Sequence, residues 1–498
     1  MTSFITATLF LYFLVLVILA IFGVHRYAMV YLYTRYRDRK ALCRPLPAGK
    51  EPPRVTVQLP LYNEMYVADR LIASVAGLRY PKDRLEIQVL DDSTDETTAI
   101  AEAAVLRARA TGLDITLIHR DDRHGFKAGA LESGLKTAKG EFILIFDADF
   151  IAPADILEKS LGHFEDEAVG LVQARWGHVN RDCSLLTEFQ SIMLDGHFIM
   201  EHGGRNRGGR FFNFNGTAGI WRKSAIVESG GWQHDTLTED LDLSYRAQMK
   251  GFRFVFIEDL VCPAELPVDV NAFRSQQARW AKGSTQVCVK LLPRLLSSTL
   301  PLRIKAEAAF HLTANFAYPL MVALSLLMFP AMVIRYDMGW MEMLLIDVPL
   351  FMGATTSVCS FYAFSQRQAY GEASWRARLK YIPGVLALGI GLSVNNARAV
   401  IEGLVGKPSE FVRTPKLGVL VSGDEWRQKR YRGHANWVPY FELALAFYFA
   451  AMAVYAITHG QWGTAPFVLI FLAGYLYVAL LSLIQEIGRP SEAPALQA

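Results

Sequence analysis

Apolar positions along this chain come in runs of two lengths. Between residues 54 and about 266, short runs of β-branched and aromatic residues at 55–59, 85–90, 115–119, 142–146 and 169–174 alternate with stretches of helical periodicity near 64–78, 96–111, 127–138 and 154–165. A strand buried on both faces reads as an unbroken apolar run, and strand–helix alternation is the pattern of a parallel sheet covered by helices. This segment is therefore expected to be α/β, with a Rossmann-like, mostly parallel sheet.

Elsewhere the runs lengthen. Residues 4–24 are apolar throughout, matching the ~20 residues needed to cross a bilayer, and Tyr27, Tyr31 and Tyr33 follow at headgroup level. No basic residue precedes this run, as a cleaved signal peptide would require. Arg35, Arg37, Arg39 and Lys40 come after it, which puts the N-terminus outside and the following segment in the cytoplasm. Runs at 308–334, 343–364, 437–458 and 464–485 are also long enough to span, giving five spans in all. By hydropathy alone 382–405 would make a sixth. Its second half carries Asn395, Arg398 and Glu402 as a polar stripe on one helical face, so it is expected to lie at the interface, with Arg413, Lys416 and the basic cluster at 427–432 on the cytoplasmic side. The stretch 271–296 mixes Arg274, Gln276, Arg279, Trp280 and Lys282 with Phe273, Val287 and Leu291, the make-up of an amphipathic helix on a membrane surface.

Composition narrows the class further. Of 498 residues 52% are hydrophobic, which fits a membrane protein with a sizeable water-soluble part. Lys+Arg 51 against Asp+Glu 48 leaves no electropositive field, so nucleic acid is not an expected partner. Cys43, Cys183, Cys262, Cys288 and Cys359 include no CxxC pair; neither a structural zinc site nor a disulfide framework is expected, and a reducing cytoplasm is the simplest setting for the soluble part.

The candidate chemistry sits where the short runs end. The run 141–150 closes on Asp147 and Asp149, and in open α/β sheets the ligand crevice lies outside the carboxyl ends of the strands. Two hard carboxylates one residue apart suit Mg²⁺ or Mn²⁺, which take their other ligands from water and substrate phosphate. Asp also favours turns, so this run alone leaves an ordinary strand exit open; its neighbours decide. The second run ends at Asp91 and Asp92, and the first at Pro60-Leu61-Tyr62-Asn63-Glu64. Between the third and fourth, 119–130 forms a cationic turn with Lys127 at a helix start, a place that attracts phosphate. Thr238-Glu239-Asp240 opens another helix. Capping by Thr238 and two acids in the first turn would account for it, but an acid there also faces the strand ends, where a general base belongs.

Asp91-Asp92, Asp147-x-Asp149, Thr238-Glu239-Asp240 and Gln276-Gln277-Ala278-Arg279-Trp280 occur in the order of the D, DxD, TED and QxxRW signatures. In this the chain resembles family 2 glycosyltransferases of the cellulose-synthase type. The segments 125–131 and 214–219 look most like the cellulose-synthase-like branch of mannan and glucan synthases, and 411–416 is similar to the FxVTxK gating loop of bacterial cellulose synthase. Arg413 in place of that loop's Val, and Ala130-Leu131-Glu132 in place of an Asn-containing run, set the chain apart from cellulose synthases themselves.

The resemblance implies a GT-A glycosyltransferase domain over 50–268 in the cytoplasm. This domain would be inserted between an N-terminal transmembrane helix at 1–34 and a membrane region at 301–490. It also implies a QxxRW-bearing amphipathic helix at 269–300 and a gating-like loop at 409–417. The implied reaction is inverting transfer of a hexose from a nucleotide sugar, UDP-glucose first and GDP-mannose second, to a growing β-linked polysaccharide. The product would leave through the spans of a multi-pass plasma (inner) membrane protein, with other export components possible. Asp91 and Asp92 would meet the nucleotide base, and Asp147 and Asp149 the diphosphate and its Mg²⁺ or Mn²⁺. Lys127, Arg279, Thr414 and Lys416 would hold the phosphates, Asp240, beside Thr238 and Glu239, would be the base, and Gln276, Arg279 and Trp280 would form the acceptor site. The alternatives are a GDP-mannose-dependent mannan or glucomannan synthase, a single-transfer glycolipid glycosyltransferase, and a transporter that has lost chemistry. Presence of both Asp149 and Asp240 weighs against the last.

Overall fold

Among the described residues, seven strands form one sheet: β1 (Val55–Leu61), β2 (Leu85–Asp91), β3 (Asp114–His119), β4 (Phe142–Ile145), β5 (Val169–His178), β6 (Gly219–Arg222) and β7 (Arg253–Ala264). Their order is β3-β2-β1-β4-β6-β5-β7, and only β6 runs antiparallel, to both β4 and β5. This computed structural model describes residues 2–336, 346, 348–408, 411–421, 423–431, 433 and 436–487.

Alternation along each strand feeds two cores. Phe142 and Leu144 of β4 point into one, beneath the Ala68–Ala76 and Thr97–Ala110 helices; Ile143 and Ile145 point into the other, with Leu131 and Leu135 of the Phe126–Thr137 helix and Leu243 of the Glu239–Met249 helix. Burying one such side chain is worth about 1.5–3 kcal/mol, and a one-residue slip would exchange the faces, so register is tightly set. The five expected strands are present; β6 is inserted between β4 and β5, and β7 adds an edge strand beside β5. The helix expected at 154–165 is a short helix, Ile156–Ser160, continued by a 3₁₀ turn, Leu161–Glu165. All five cysteines are free thiols.

Among the described residues, four helices are long and apolar enough to cross a membrane: Ser3–Arg35, Leu302–Ile334, Val438–Thr458 and Ala465–Ile487. A bent pair, Val348–Gly391 with Ser393–Leu404 at 44°, raises the number to as many as five. Of the span expected at 343–364, residues 343–345 and 347 lie outside the described residues. Of the polar stripe expected on 382–405, Asn395 and Glu402 turn toward protein, while Arg398 stays more exposed and pairs with Glu402 at 3.5 Å. Asn395 Nδ2 donates to the Arg274 carbonyl at 2.9 Å, and Glu402 pairs with Lys282 at 3.3 Å, both on the Val270–Ser297 helix. That helix is capped by Asp269, whose carboxylate accepts from the amides of Asn271 and Ala272 at 2.7 and 2.9 Å. It packs between the catalytic domain and the apolar helices, a more enclosed setting than the membrane surface its composition suggests.

Candidate active site

Ends of β1, β2, β4, β5 and β7 open onto a cleft with about 1210 Å³ of empty space, part of it continuous with solvent. Asp92, Lys127, Asp147, Asp149, Thr238, Glu239, Asp240, Gln276, Arg279, Trp280, Thr414 and Lys416 all line it, although they come from segments more than three hundred residues apart. Asp91 is placed off the cleft. As the last residue of β2 its side chain turns inward and accepts from Thr98 Oγ1 at 2.7 Å and the Ser93 amide at 3.1 Å, with His119 Nδ1 at 2.8 Å.

Charge is arranged in pairs along the β1–β2–β4 side. Arg120 holds Asp92 with two bonds, Nε at 2.7 Å and a terminal nitrogen at 2.5 Å, the fork geometry that fixes a carboxylate most firmly. Lys127 Nζ reaches Asp147 Oδ1 at 2.5 Å and the Gly216 carbonyl at 2.9 Å; Lys416 Nζ reaches Asp149 Oδ2 at 2.7 Å. Burial works against the Lys127 charge, but Asp147, Glu239 and Asp240 more than offset it and hold the ammonium above its ordinary value. The Arg123 guanidinium lies 3.3 Å from the Tyr62 ring centroid, giving this side a planar, cationic face.

Gly216 sits where these groups meet. Its φ of +80° needs glycine, and a Cβ would stand 3.0 Å from Asp240 Oδ2 and 3.2 Å from Lys127 Nζ. Next to it, Thr217 Oγ1 accepts from the Asp147 amide at 2.9 Å, so the 214–219 segment supports the DxD turn.

The Glu239–Met249 helix aims its first turn into the cleft. Thr238 precedes the helix, but its side chain makes no capping bond, which corrects the expected cap: Gly283 packs so closely that a Cβ there would meet Thr238 Cγ2 at 2.6 Å. The Asp240 carboxyl is pushed up to about 7, first by burial and then by Glu239, against the pull of Lys127 and Arg279. A carboxylate poised near neutrality suits proton abstraction. Arg279 stacks on Phe411 at 4.4 Å and lies 3.5 Å from Thr414 Oγ1, joining the QxxRW helix to the 411–416 loop. Thr414 is only 4% exposed, so this loop is seated in the cleft.

Two acids enter the site without having been singled out as site residues. Glu64, just after β1, is pushed up to about 7 by burial and by Asp149 and Asp147, with Arg413 and Lys416 opposing. Its place at a strand end was the available signal. Glu265, just after β7, accepts from the amides of Leu417 and Gly418 at 3.0 and 2.9 Å and anchors the loop's far end. Among the described residues no group of three His, Cys, Asp or Glu side chains is arranged to hold a metal by itself. Asp147 and Asp149 each carry a lysine ammonium, Lys127 at 2.5 Å and Lys416 at 2.7 Å; a Mg²⁺ or Mn²⁺ ion would take these carboxylates only as partial ligands and complete its shell with water and substrate oxygens.

Carboxylates, cations and the buried Asp240 carboxyl thus converge on one cleft at the strand ends of the sheet. A family model described as "Glycosyltransferase like family 2" matches residues 52–283. The glucomannan 4-beta-mannosyltransferase 1 of Cyamopsis tetragonoloba is 34% identical over 400 residues, covering 78% of this chain and 72% of that protein. The glucomannan 4-beta-mannosyltransferase 1 of Oryza sativa subsp. japonica is 38% identical over 298 residues (58% of this chain, 57% of that one). The glucomannan 4-beta-mannosyltransferase 2 of Arabidopsis thaliana is 41% identical over 278 residues (54% and 52%). Matches to these last two thus span a little over half of their length. A solved structure, the mannosyltransferase PcManGT from Pyrobaculum calidifontis in complex with GDP-Man and Mn²⁺, superposes with a TM-score of 0.50 at 21% identity, covering 78% of this chain and 100% of that one, and shows the shared fold. The chain belongs to the cellulose-synthase-like family 2 glycosyltransferases.

Proposed function

We propose that the chain transfers a hexose, with inversion, from a nucleotide sugar to a growing β-linked glycan, and passes the product into its membrane region. The observation that carries this reading is the meeting of Asp240 and Trp280, from two different helices, in the cleft that holds Asp147, Asp149, Lys127 and Lys416. Asp240 accepts the proton of the acceptor hydroxyl, the hydroxyl oxygen bonds to the anomeric carbon, and the bond to the diphosphate breaks from the opposite face. Lys127, Lys416 and Arg279 offset the charge left on the diphosphate, and the Trp280 indole offers a flat face to the acceptor ring. A Mg²⁺ or Mn²⁺ ion held by Asp147 and Asp149 supplies further positive charge there.

For the donor, relatives named as mannosyltransferases move the preference from UDP-glucose to GDP-mannose. The basic residues that follow the first span favour an inner-membrane protein with its catalytic domain in the cytoplasm and the 411–416 loop on the same side. A single-transfer glycolipid enzyme would use the same catalytic residues. Purified protein supplied with radiolabelled GDP-mannose or UDP-glucose, followed by linkage-specific hydrolases, separates these readings. Polymer labelled from GDP-mannose and cut by β-mannanase is expected. Label confined to a lipid-soluble monosaccharide would replace the polymerase reading with the glycolipid one.

A further inference from the structure

The far side of the cleft is built differently. Charged pairs crowd the ends of β1, β2 and β4, whereas Trp176 and His178, two residues apart on β5, bring indole and imidazole groups to the other end of the sheet. Just before them the β5–β7 register breaks between Ala174 and Arg175, an irregularity of the kind that re-aims side chains beside active sites. Trp176 packs edge-on to Phe150, with ring centroids 5.3 Å apart, and against Phe198 at 5.1 Å. Even so, its indole Nε1 is buried without a hydrogen-bond partner among the described residues, and so is the Oδ1 of Asn215. Both residues line the cleft. Thr238 Oγ1, Arg279 Nε and Arg123 Nε in the same cleft are likewise unpaired among the described residues, so the cleft as a whole is short of hydrogen-bond partners, and these two atoms mark where its aromatic side lacks them.

The Asn215 amide is held by a chain of contacts behind it. Glu201 Oε2 lies 2.8 Å from His197 Nδ1, and His197 Nε2 lies 3.0 Å from Asn215 Nδ2. A carboxylate can only accept, so Nδ1 carries a proton, and in the neutral imidazole Nε2 is left as an acceptor. Asn215 must then present its NH₂ to His197, which leaves Oδ1 as a fixed acceptor. This arrangement stands on a π-helical segment, Gly196–His202, a local distortion frequent at functional sites. It is braced from the membrane side: Arg205 lies 3.6 Å from Glu201 and 2.9 Å from Glu307, which in turn meets His25 of the first span at 2.9 Å.

We propose that Trp176 and Asn215 form a subsite for the acceptor's terminal pyranose. Indole Nε1–H donates to one sugar hydroxyl, a second hydroxyl donates to Asn215 Oδ1, and His197 with Glu201 acts as a positioning pair for the amide. This rests on the glycosyltransferase reading above and names the wall that takes the polyol rather than the diphosphate.

The test uses the full chain in nanodiscs, with a soluble β-linked manno- or gluco-oligosaccharide as acceptor. Trp176→Phe keeps an aromatic ring but removes the N–H together with part of the indole that packs on Phe150 and Phe198; Asn215→Leu keeps the branched shape without the polar atoms. Each should raise the acceptor KM about tenfold, roughly the size of one lost hydrogen bond, while the donor KM and nucleotide diphosphate affinity stay within about twofold. His197→Phe should reproduce Asn215→Leu, and His197→Gln, which keeps an acceptor atom near the Nε2 position, should recover most of the loss. A fall in kcat at unchanged acceptor KM, or a donor KM that rises in parallel, overturns the subsite. Wild-type protein that consumes neither GDP-mannose nor UDP-glucose overturns the underlying function instead. If Asn215→Leu fails to fold, Trp176→Phe decides alone.

Discussion

Asp240, the base in the proposed reaction, has the clearest consequences at the scale of single residues. Asparagine is nearly isosteric with aspartate but cannot take the acceptor's proton, so Asp240→Asn should lower kcat by about 10²–10⁴-fold while calorimetric donor affinity is kept. Near-normal turnover would remove Asp240 from its role. The same carboxyl, raised to about 7 by burial and by Glu239, is protonated below that pH and cannot act as a base. The kcat/KM profile should therefore fall as pH drops through about 7; a profile flat down to pH 5 would contradict the assignment. Gly216→Ala should abolish activity more completely than its size suggests, because the new methyl meets both Asp240 and Lys127 and the +80° φ is unfavourable for alanine. A normal rate would show that this corner can relax. The motif acids were legible in the sequence because carboxylates rarely close buried strands without cause. Which member of Asp91-Asp92 would face the cleft was not, since neighbours on a strand point to opposite sides and the pattern alone cannot say which side holds the ligand. Glu265 was hidden for a related reason: it follows β7, a strand that had not been delineated.

At the scale of elements, the parallel strands and their helices could be read because unbroken apolar runs and amphipathic helices leave strong periodic signals. Antiparallel β6 is only Gly219–Arg222, too short to show a period, and the π-helical turn at Gly196–His202 has no signature in hydropathy. The 411–416 loop was legible through its resemblance and not through its pattern, yet it reaches the centre of the cleft. Lys416 touches Asp149, Phe411 stacks on Phe126 with ring centroids 5.8 Å apart, and Glu265 fixes the loop's end. We infer that the loop acts as a lid, which has to leave for donor and product to exchange. Cysteine in place of Thr414 should react with a membrane-impermeant thiol reagent only from the cytoplasmic side, and bound nucleotide should slow that reaction. Labelling from outside intact cells would refute the topology, and labelling indifferent to nucleotide would remove the lid while keeping the topology.

Across the whole molecule, the Val270–Ser297 helix couples chemistry to membrane. One face presents Gln276, Arg279 and Trp280 to the cleft, and the other is tied to the last two apolar helices. Gln485 Oε1 accepts from the Val270 amide at 2.8 Å, and Asn271 Nδ2 donates to the Ser482 carbonyl at 3.2 Å. Arg274 meets Glu442 at 2.7 Å, with Glu442 fully buried and Arg274 nearly so. The sequence showed the amphipathic helix but not this pairing, because the two partners lie 168 residues apart and a lone Glu in an apolar run gives no hint of what it faces. A buried pair is expensive to break from one side, by about 3–5 kcal/mol, because the remaining charge has neither water nor partner; replacing both members by apolar residues of similar volume is often close to neutral. Glu442→Leu and Arg274→Leu should each lower the thermal inactivation midpoint of the purified protein, and the double variant should recover most of the loss. If the pair also holds the acceptor motif in place, the single variants should lose polymer elongation before they lose nucleotide binding. A double variant no more stable than either single one would show that the two side chains act independently and that the helix is held by its apolar packing alone.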